Sequence, residues 1–227
     1  MSSTTVALSV TGFSGKPLGC TLERRPEGSA DLAVVFPGFA YGPSAPLLAS
    51  AGAIAAKHGL DVLRFDPDYP KQGLALGNEA DERALLERLR ADAVAVLTAG
   101  VKAHPYRRVV VVGKSLGTRA MAFCLEDARW ASAIQDVRLA WLTPVCAAAN
   151  VRDWMVRAAK RSLVVIGTAD QHRLPAVLDE VRGAAGADAV VEIEGADHSL
   201  DVAGDAARTA AAHERWASAF ETLVRDR

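Results

Sequence analysis

One serine in the sequence stands where its hydroxyl could be activated as a nucleophile. Residues 113–117 read Gly-Lys-Ser-Leu-Gly, and they follow a run of four valines at residues 109–112. A Gly-x-Ser-x-Gly segment between a strand and a helix is typical of a nucleophile elbow, in which a tight turn presents the serine. The glycines leave room for that turn. Ser115 is therefore the candidate nucleophile, and a plain glycine-rich strand-to-helix turn is the structural alternative.

Gly-Lys-Ser also closes the phosphate-binding loop of many nucleotide-binding proteins. That loop needs a first glycine upstream, and its glycine-rich backbone wraps the phosphates. This chain has Arg108 at the position of the first glycine, and valines fill the interval. A strand of branched side chains cannot form such a cradle, so the sequence disfavours phosphate binding here.

A serine hydroxyl needs a general base, which is usually a histidine oriented by a carboxylate. Asp170 follows the apolar run at residues 163–166, and His198 follows the run at residues 190–193. The carboxyl ends of parallel strands lie along one edge of a sheet, and the order Ser, Asp, His is typical of one large class of hydrolases. We therefore expect Ser115, Asp170 and His198 to converge at one edge.

Other residues compete for the two partner roles. His172 stands two residues after Asp170, and we interpret it as lining the site rather than as the base. Asp197 is a second candidate acid, with loop capping as its structural alternative, and Asp153 is a third. Structural or solvent positions are expected for the remaining histidines, which are His58, His104 and His213.

A tetrahedral intermediate also needs donors for its oxyanion. One is expected to be the backbone N–H of Leu116, directly after the serine. The second is expected from the loop at residues 37–43, Pro-Gly-Phe-Ala-Tyr-Gly-Pro, with Phe39 as the donor. An ordinary glycine- and proline-containing loop is the alternative. We expect five residues to form walls of the substrate site: Tyr41, Tyr69, Pro144, Trp154 and His172. For the aromatic residues among them, packing in the core is the alternative.

Short apolar runs alternate with longer amphipathic stretches along the whole sequence. Continuous Val, Ile and Leu strands separated by helices predict a mostly parallel sheet covered on both faces. We expect about eight strands in one domain over residues 1–227. The predicted strands lie at residues 5–10, 18–22, 31–38, 60–66, 109–112, 137–144 and 162–170, and the stretch at residues 189–198 holds the last one. The predicted helices lie at residues 47–57, 79–102, 116–127, 151–159, 174–183 and 203–225.

Composition narrows the class of protein. The 227 residues are 50% hydrophobic and carry a net charge of −1, which does not suggest a nucleic-acid partner. The three cysteines, an odd number set in apolar segments, are expected to be buried free thiols. No metal-ligand spacing, membrane span or signal peptide is recognisable, so we expect no metal or other cofactor, no membrane contact and a cytoplasmic location.

With Ser115, Asp170, His198 and the loop of Phe39 in place, the chain resembles the α/β-hydrolase superfamily. The resemblance covers nearly the whole sequence and is greatest to small members without a cap, the dienelactone-hydrolase-like and acyl-protein-thioesterase-like groups. It implies a three-layer α/β fold with a mostly parallel sheet. No cap domain is expected, because only about twenty residues separate the strand ending at Leu142 from the next one.

Some residues depart from the pattern of these relatives. Many members have His-Gly at the oxyanion loop, where this chain has Pro37, and true dienelactone hydrolases use a cysteine nucleophile. Thr118 is bulkier than the small residue common at that position. Lys114 is expected to point into solvent, with pairing to a carboxylate such as Glu126 or Asp66 as the alternative.

The function implied by this pattern is hydrolysis of a small-molecule ester or thioester through an acyl-enzyme, with no cofactor. Two other classes stay open. One is a non-catalytic scaffold or binding protein that retains the fold, and the other is an acyltransferase or amidase that uses the same triad. The sequence does not indicate the oligomeric state or the natural substrate.

Overall fold

The chain builds an eight-stranded sheet with helices on both faces. The structure, a computed structural model, describes residues 3–225. The strands are β1 (Thr4–Ala7), β2 (Val10–Thr11), β3 (Pro17–Leu18), β4 (Cys20–Arg24), β5 (Asp31–Phe36), β6 (Asp61–Phe65), β7 (Arg108–Lys114), β8 (Asp136–Leu142), β9 (Ser162–Gly167) and β10 (Val190–Ile193). The helices are α1 (Pro46–Lys57), α2 (Glu79–Lys102), α3 (Leu116–Glu126), α4 (Ala149–Arg157), α5 (Pro175–Ala185) and α6 (Ala206–Arg225).

The strand order in the large sheet is β1-β4-β6-β5-β7-β8-β9-β10. The pairs from β6 through β5, β7, β8 and β9 to β10 are parallel, whereas β4 pairs antiparallel with both β1 and β6. Because β5, β7, β8 and β9 run side by side in one direction, the loops after them open at the same edge of the sheet. We call this edge the carboxyl edge.

Alternation along the strands divides the core into two layers. Val109 and Val111 face one side of the sheet with apolar residues of α2, α3, α4 and α5. Val110 and Val112 face the other side with α1 and α6, including Trp216 of α6. A strand buried on both faces is apolar at every position, which explains the unbroken valine run. The predicted three-layer α/β architecture is confirmed.

Local signals fix where several helices begin. Asn78 caps α2, because its side chain accepts hydrogen bonds from the backbone N–H groups of Ala80 and Asp81. Prolines stand at the first turns of α1 and α5, where a missing N–H costs nothing. None of the described helices is both long and apolar enough to cross a lipid bilayer.

The first predicted strand, residues 5–10, is longer than the observed strand β1, which pairs antiparallel with β4. The strand expected at residues 5–10 ends at Ala7, and Val10 pairs instead with Leu18 in a separate two-stranded sheet of β2 and β3. The backbone N–H of Phe13 donates to Asp92 of α2 at 2.7 Å. This contact anchors the turn between β2 and β3 to the helix, away from the large sheet.

The segment between β8 and β9 decides whether a cap is present. In the described chain it holds α4 and one short 3₁₀ turn. The expectation of a fold without a cap domain is therefore confirmed for residues 3–225. The strands β7, β9 and β10 end at Lys114, Gly167 and Ile193, so Ser115 directly follows its strand, whereas Asp170 and His198 lie in loops beyond the strand ends.

Candidate active site

Ser115 occupies a strained turn between β7 and α3. Its backbone has φ 53° and ψ −115°, in the region that residues with a side chain rarely adopt. A Cβ at Gly113 would lie 2.5 Å from the carbonyl oxygen of Gly117, and one at Gly117 would lie 2.3 Å from that of Phe36. Both glycines of the motif are therefore required by close backbone approach. This is the geometry expected of a nucleophile elbow.

Hydrogen bonds hold the strained turn in place. The Ser115 N–H donates to the carbonyl of Leu142, at the end of β8, over 3.0 Å. The Thr118 hydroxyl donates to the Ser115 carbonyl at 2.6 Å and accepts from the N–H of Val145 at 3.3 Å. The bulk of Thr118 thus has a local explanation, because its hydroxyl joins the elbow to the loop after β8.

His198 joins the serine to a buried carboxylate. Its Nε2 lies 2.8 Å from the Ser115 Oγ, and its Nδ1 lies 2.8 Å from Oδ2 of Asp170. The Asp170 side chain is fully buried, whereas that of His198 is 27% exposed. One ring nitrogen therefore faces the serine and the other faces the carboxylate. This arrangement suits a neutral imidazole that accepts the serine proton.

The environment of Asp170 favours its charged form. Burial by itself raises the pKa of this carboxyl, but the hydrogen bond from His198 and the backbone N–H of His172, at 2.9 Å, outweigh burial. The pKa of Asp170 is therefore lower than its usual value. A carboxylate that stays ionised can orient His198 and stabilise its protonated form.

Contacts between two loops, which sequence reasoning did not anticipate, bring Asp170 and His198 together. A Cβ at Gly167 would lie 1.9 Å from the carbonyl oxygen of Ala196, so only glycine allows the loop after β9 to touch the loop after β10. The Thr168 hydroxyl accepts from the Gly195 N–H at 2.8 Å. The feature of the sequence that could have indicated this contact is Gly167, the glycine that ends the apolar run of β9.

The alternative acids do not contact His198 in the described structure. Asp197 accepts hydrogen bonds from the N–H groups of Ser199 and Asp201, at 2.7 and 3.1 Å. It therefore caps its own loop, as the structural alternative for this residue predicted. Asp153 is exposed on α4 and pairs with Arg152. The preference for Asp170 over both residues agrees with the geometry.

The loop expected to supply an oxyanion donor lies against the elbow. The Gly38 N–H donates to the Tyr41 carbonyl at 3.0 Å and closes a tight turn that contains Phe39. In the described part of the chain, no hydrogen bond occupies the Phe39 N–H. Leu116 begins α3, where backbone N–H groups lack intrahelical acceptors. Both amides predicted as donors are thus free to bind an anion.

Of the predicted wall residues, two lie at the site. Tyr41 is half-buried on the oxyanion loop, and its hydroxyl accepts from the Leu47 N–H at 2.9 Å. His172 packs its ring against that of His198, with centroids 4.9 Å apart and an interplanar angle of 62°. Burial and the charge of a protonated His198 lower the pKa of His172. A neutral second imidazole therefore borders the base.

Among the other predicted wall residues, Tyr69 is wrong, and Pro144 and Trp154 stay predictions. Tyr69 is only 1% exposed, and its hydroxyl donates to Asp92 at 3.1 Å inside the core. Pro144 is buried, and Trp154 packs against the core with Arg157 over its ring. Core packing, the alternative weighed for the aromatics, describes Tyr69 and Trp154.

Lys114 also differs from its expected placement. It is 3% exposed and does not point into solvent. Glu126 pairs with Arg90 rather than with Lys114, and Asp66 forms no ion pair with it. The ammonium lies instead 4.7 Å from the centroid of the Tyr41 ring.

Comparison with solved structures identifies the architecture. A dienelactone hydrolase from Anabaena variabilis matches with a TM-score of 0.59 and 16% identity, over 98% of this chain and 99% of its own. An esterase from Pyrococcus furiosus matches with a TM-score of 0.65 and 14% identity, over 99% and 90%. The chain has the α/β-hydrolase fold. A dienelactone hydrolase-like promiscuous phosphotriesterase from metagenomic libraries shares this hydrolase fold, with a TM-score of 0.60 and 21% identity over 98% and 99%.

Comparison of sequences adds nothing further, since no family model and no curated protein matches this chain. Within the hydrolase fold, the carboxyl edge is the usual place for a catalytic site. A cleft of about 410 Å³ opens there beside the oxyanion loop. Its walls are residues 37–42 and a second group from the loop after β6, residues 66–68 and 70–71.

Proposed function

We propose that this protein is a serine hydrolase that cleaves an ester or thioester through an acyl-enzyme. The observation that carries the proposal is the continuous pair of 2.8 Å contacts from Ser115 through His198 to Asp170. The strained elbow adds support, because it holds the hydroxyl where a substrate carbonyl can approach. The fold shared with esterases and dienelactone hydrolases adds further support.

The first half of the reaction forms the acyl-enzyme. His198 Nε2 takes the proton of Ser115 as Oγ attacks the substrate carbonyl carbon, and the carbonyl oxygen becomes an oxyanion. The N–H groups of Phe39 and Leu116 donate to that oxyanion. Asp170 stabilises the imidazolium through Nδ1. The imidazolium then gives its proton to the leaving alcohol or thiol, and the bond from carbonyl carbon to leaving group breaks.

The second half releases the acid. Water enters beside His198, which is partly exposed, and gives a proton to Nε2 as its oxygen attacks the acyl carbon. The second tetrahedral intermediate collapses, Ser115 recovers its proton from His198, and the carboxylic acid leaves. Each step uses groups of this chain together with water.

The cleft beside Phe39 and Tyr41 is our candidate for the place where one limb of the substrate binds. Its volume lies in the range of about 300–1,000 Å³ that suits small ligands. Apolar side chains in its lining come from Phe39, Tyr41, Pro67 and Pro70, and charged ones come from Asp66, Asp68 and Lys71. A short or medium apolar limb fits this cleft better than a long chain does.

Labelling with a fluorophosphonate probe tests the proposal without knowledge of the substrate. We expect the wild-type chain to gain the probe on Ser115, and both Ser115→Ala and His198→Ala to lose labelling. Ser218→Ala is the matched control, because Ser218 is exposed on α6. A folded wild-type chain that is not labelled would overturn the proposal in favour of a non-catalytic hydrolase-fold protein.

A panel of p-nitrophenyl esters and acyl thioesters of increasing chain length then sharpens the substrate class. We expect the largest kcat/KM for short or medium acyl groups. An optimum at long chains would contradict the assignment of the 410 Å³ cleft as the binding site.

A further inference from the structure

Lys114 is a buried cation directly beside the candidate nucleophile. It is the last residue of β7, and alternation along the strand turns its side chain to the same face as Val110 and Val112, among the α1 and α6 layer. Only 3% of its surface is exposed. Burial disfavours the charged form of an ammonium. The position of this lysine therefore calls for a structural or functional explanation.

The side chain of Lys114 lies against the oxyanion loop. Its Cδ is 3.4 Å from the point where a Cβ on Gly38 would be, so the aliphatic stem packs against the start of the turn at residues 38–41. Its Nζ lies 4.7 Å from the centroid of the Tyr41 ring, at the end of the same turn. The two ends of the turn that carries the Phe39 amide therefore both contact Lys114.

No carboxylate of the described chain forms an ion pair with this cation. Within residues 3–225 no Asp or Glu oxygen lies within 4.0 Å of the Lys114 ammonium. Asp170 and Asp197 act on it only at longer range, and each is already engaged. Asp170 accepts from His198 and the His172 N–H, and Asp197 accepts from two backbone N–H groups of its own loop. The positive potential of Lys114 is therefore available to another anion.

We propose that Lys114 is a positioning residue that fixes the turn at residues 38–41 and supplies positive potential to the oxyanion held by Phe39 and Leu116. The inference rests on the proposed serine-hydrolase function. Lys114 acts through the turn and through its charge, and it does not touch the substrate. Fixed positive charge close to a developing oxyanion, in a site shielded from water, stabilises the transition state more than the ground state.

The charge of Lys114 is expected to be lost within the working range of pH. Burial lowers the pKa of this lysine to about 8, although Asp170 and Asp197 oppose the shift. The groups that face it are Tyr41 on the oxyanion loop, Asp170 and His172 after β9, and Asp197 after β10. The pKa of Tyr41 is raised by burial, so its ring stays neutral while Lys114 titrates. Activity should therefore fall as the pH rises through about 8.

The test compares kcat and KM for p-nitrophenyl acetate from about pH 6 to about pH 10, with spontaneous hydrolysis subtracted. Lys114→Met removes the charge at similar volume, and Lys114→Arg keeps a charge at every pH used. Lys160→Met is the matched control, because Lys160 is exposed just before β9, at the opposite edge of the sheet from the site. Thermal unfolding shows that each variant is folded.

We expect Lys114→Met to lower kcat about ten-fold at neutral pH with little change in KM, since the charge acts in the transition state. The fall in kcat near pH 8 should be present in wild type and Lys160→Met, and absent from both Lys114 variants. A wild-type kcat in Lys114→Met, or a fall near pH 8 that persists in either Lys114 variant, would overturn the proposal.

Two further outcomes also decide whether the proposed role of Lys114 holds. If Lys114→Met does not fold, the pH profiles of wild type and Lys114→Arg settle the matter, because only the titrating lysine predicts a difference between them. A wild-type chain with neither hydrolysis nor probe labelling refutes the proposed function, and the role of Lys114 falls with it. Hydrolysis with the wrong pH behaviour refutes the role of Lys114 alone.

Discussion

The two ends of strand β7 each carry a buried basic residue, and the two residues have opposite surroundings. Arg108, at the start, donates to Asp31 at 2.8 Å and to the Val224 carbonyl at 2.8 Å. Lys114, at the end, forms no ion pair among residues 3–225, and its ammonium lies over the face of Tyr41. Arg108 links strands β5 and β7 to the last helix, whereas Lys114 keeps its charge uncompensated beside the candidate site.

The backbone near the end of β7 is strained, in keeping with the uncompensated charge of Lys114 there. Among the described residues, the loops at the carboxyl edge hold Ser115 at φ 53° and Thr143 at φ 43°. The buried hydroxyl of Thr143 has no hydrogen-bond partner there. Strain and unsatisfied groups of this kind cost stability and tend to collect at functional sites. The start of β7 is therefore arranged for stability, and its end is arranged for chemistry.

The largest effect should come from the serine and its base. Either Ser115→Ala or His198→Ala is expected to lower kcat by about 10⁶-fold, because neither residue works without the other. Steady-state hydrolysis of an activated ester measures this loss, and the double variant should be no worse than the single ones. Additive losses would contradict a shared role for the two residues.

Asp170→Asn should have the next largest effect. The amide keeps the shape but cannot stabilise an imidazolium, and we expect kcat to fall about 10⁴-fold. Asp197→Asn is the matched control, because Asp197 is the neighbour of His198 in sequence but accepts its hydrogen bonds from its own loop. A larger loss in Asp197→Asn than in Asp170→Asn would exchange the assignments of the two carboxylates.

Arg108→Met tests the structural end of β7. It leaves the partly buried Asp31 carboxylate and the Val224 carbonyl without this donor, so we expect the free energy of unfolding to fall by about 3 kcal/mol. Urea unfolding measures the change. The kcat of the folded fraction should stay at the wild-type value, and a selective loss of kcat would break the contrast between the two ends.

Lys114→Met, at the other end of β7, should raise the free energy of unfolding rather than lower it. The pKa of this lysine falls from 10.5 in the unfolded chain to about 8 in the folded one, so folding must bury a charge at neutral pH. Removing it should raise the free energy of unfolding by about 3 kcal/mol at pH 7, since one pKa unit corresponds to about 1.4 kcal/mol.

The pH dependence of that gain has a definite sign. Below about pH 8 both states of the wild type hold the proton, and the penalty is complete. Between about 8 and 10.5 the folded state binds fewer protons than the unfolded state, so wild-type stability rises with pH. The advantage of Lys114→Met should shrink over this window, and urea unfolding at several pH values checks it. A constant difference would mean that burial of the charge is not its cause.

Much of the fold followed from the sequence because local signals agreed with the global arrangement. Helix α2 was predicted with the observed bounds because apolar residues recur there at helical spacing, and the structure adds that Asn78 caps its start. The strands were predicted as regions, but their ends differ in both directions: β7 runs two residues past its predicted end at residue 112, and the stretch at residues 162–170 is a strand only to Gly167. Apolar character does not show where pairing stops. The first predicted strand is present as β1 but ends at Ala7, because Val10 pairs with Leu18 in a turn that a contact with the distant Asp92 anchors.

The sequence by itself determined the alternation of strands and helices, the glycine-flanked elbow of Ser115 and the order of candidate acid and base. Each depends on the period of apolar residues or on the small size of glycine, which act locally. Only the tertiary structure decided that Tyr69 lies in the core, that Asp170 rather than Asp197 meets His198, and that Lys114 is buried without a carboxylate. Those outcomes depend on which distant segments pack together, and neighbouring residues carry no record of that.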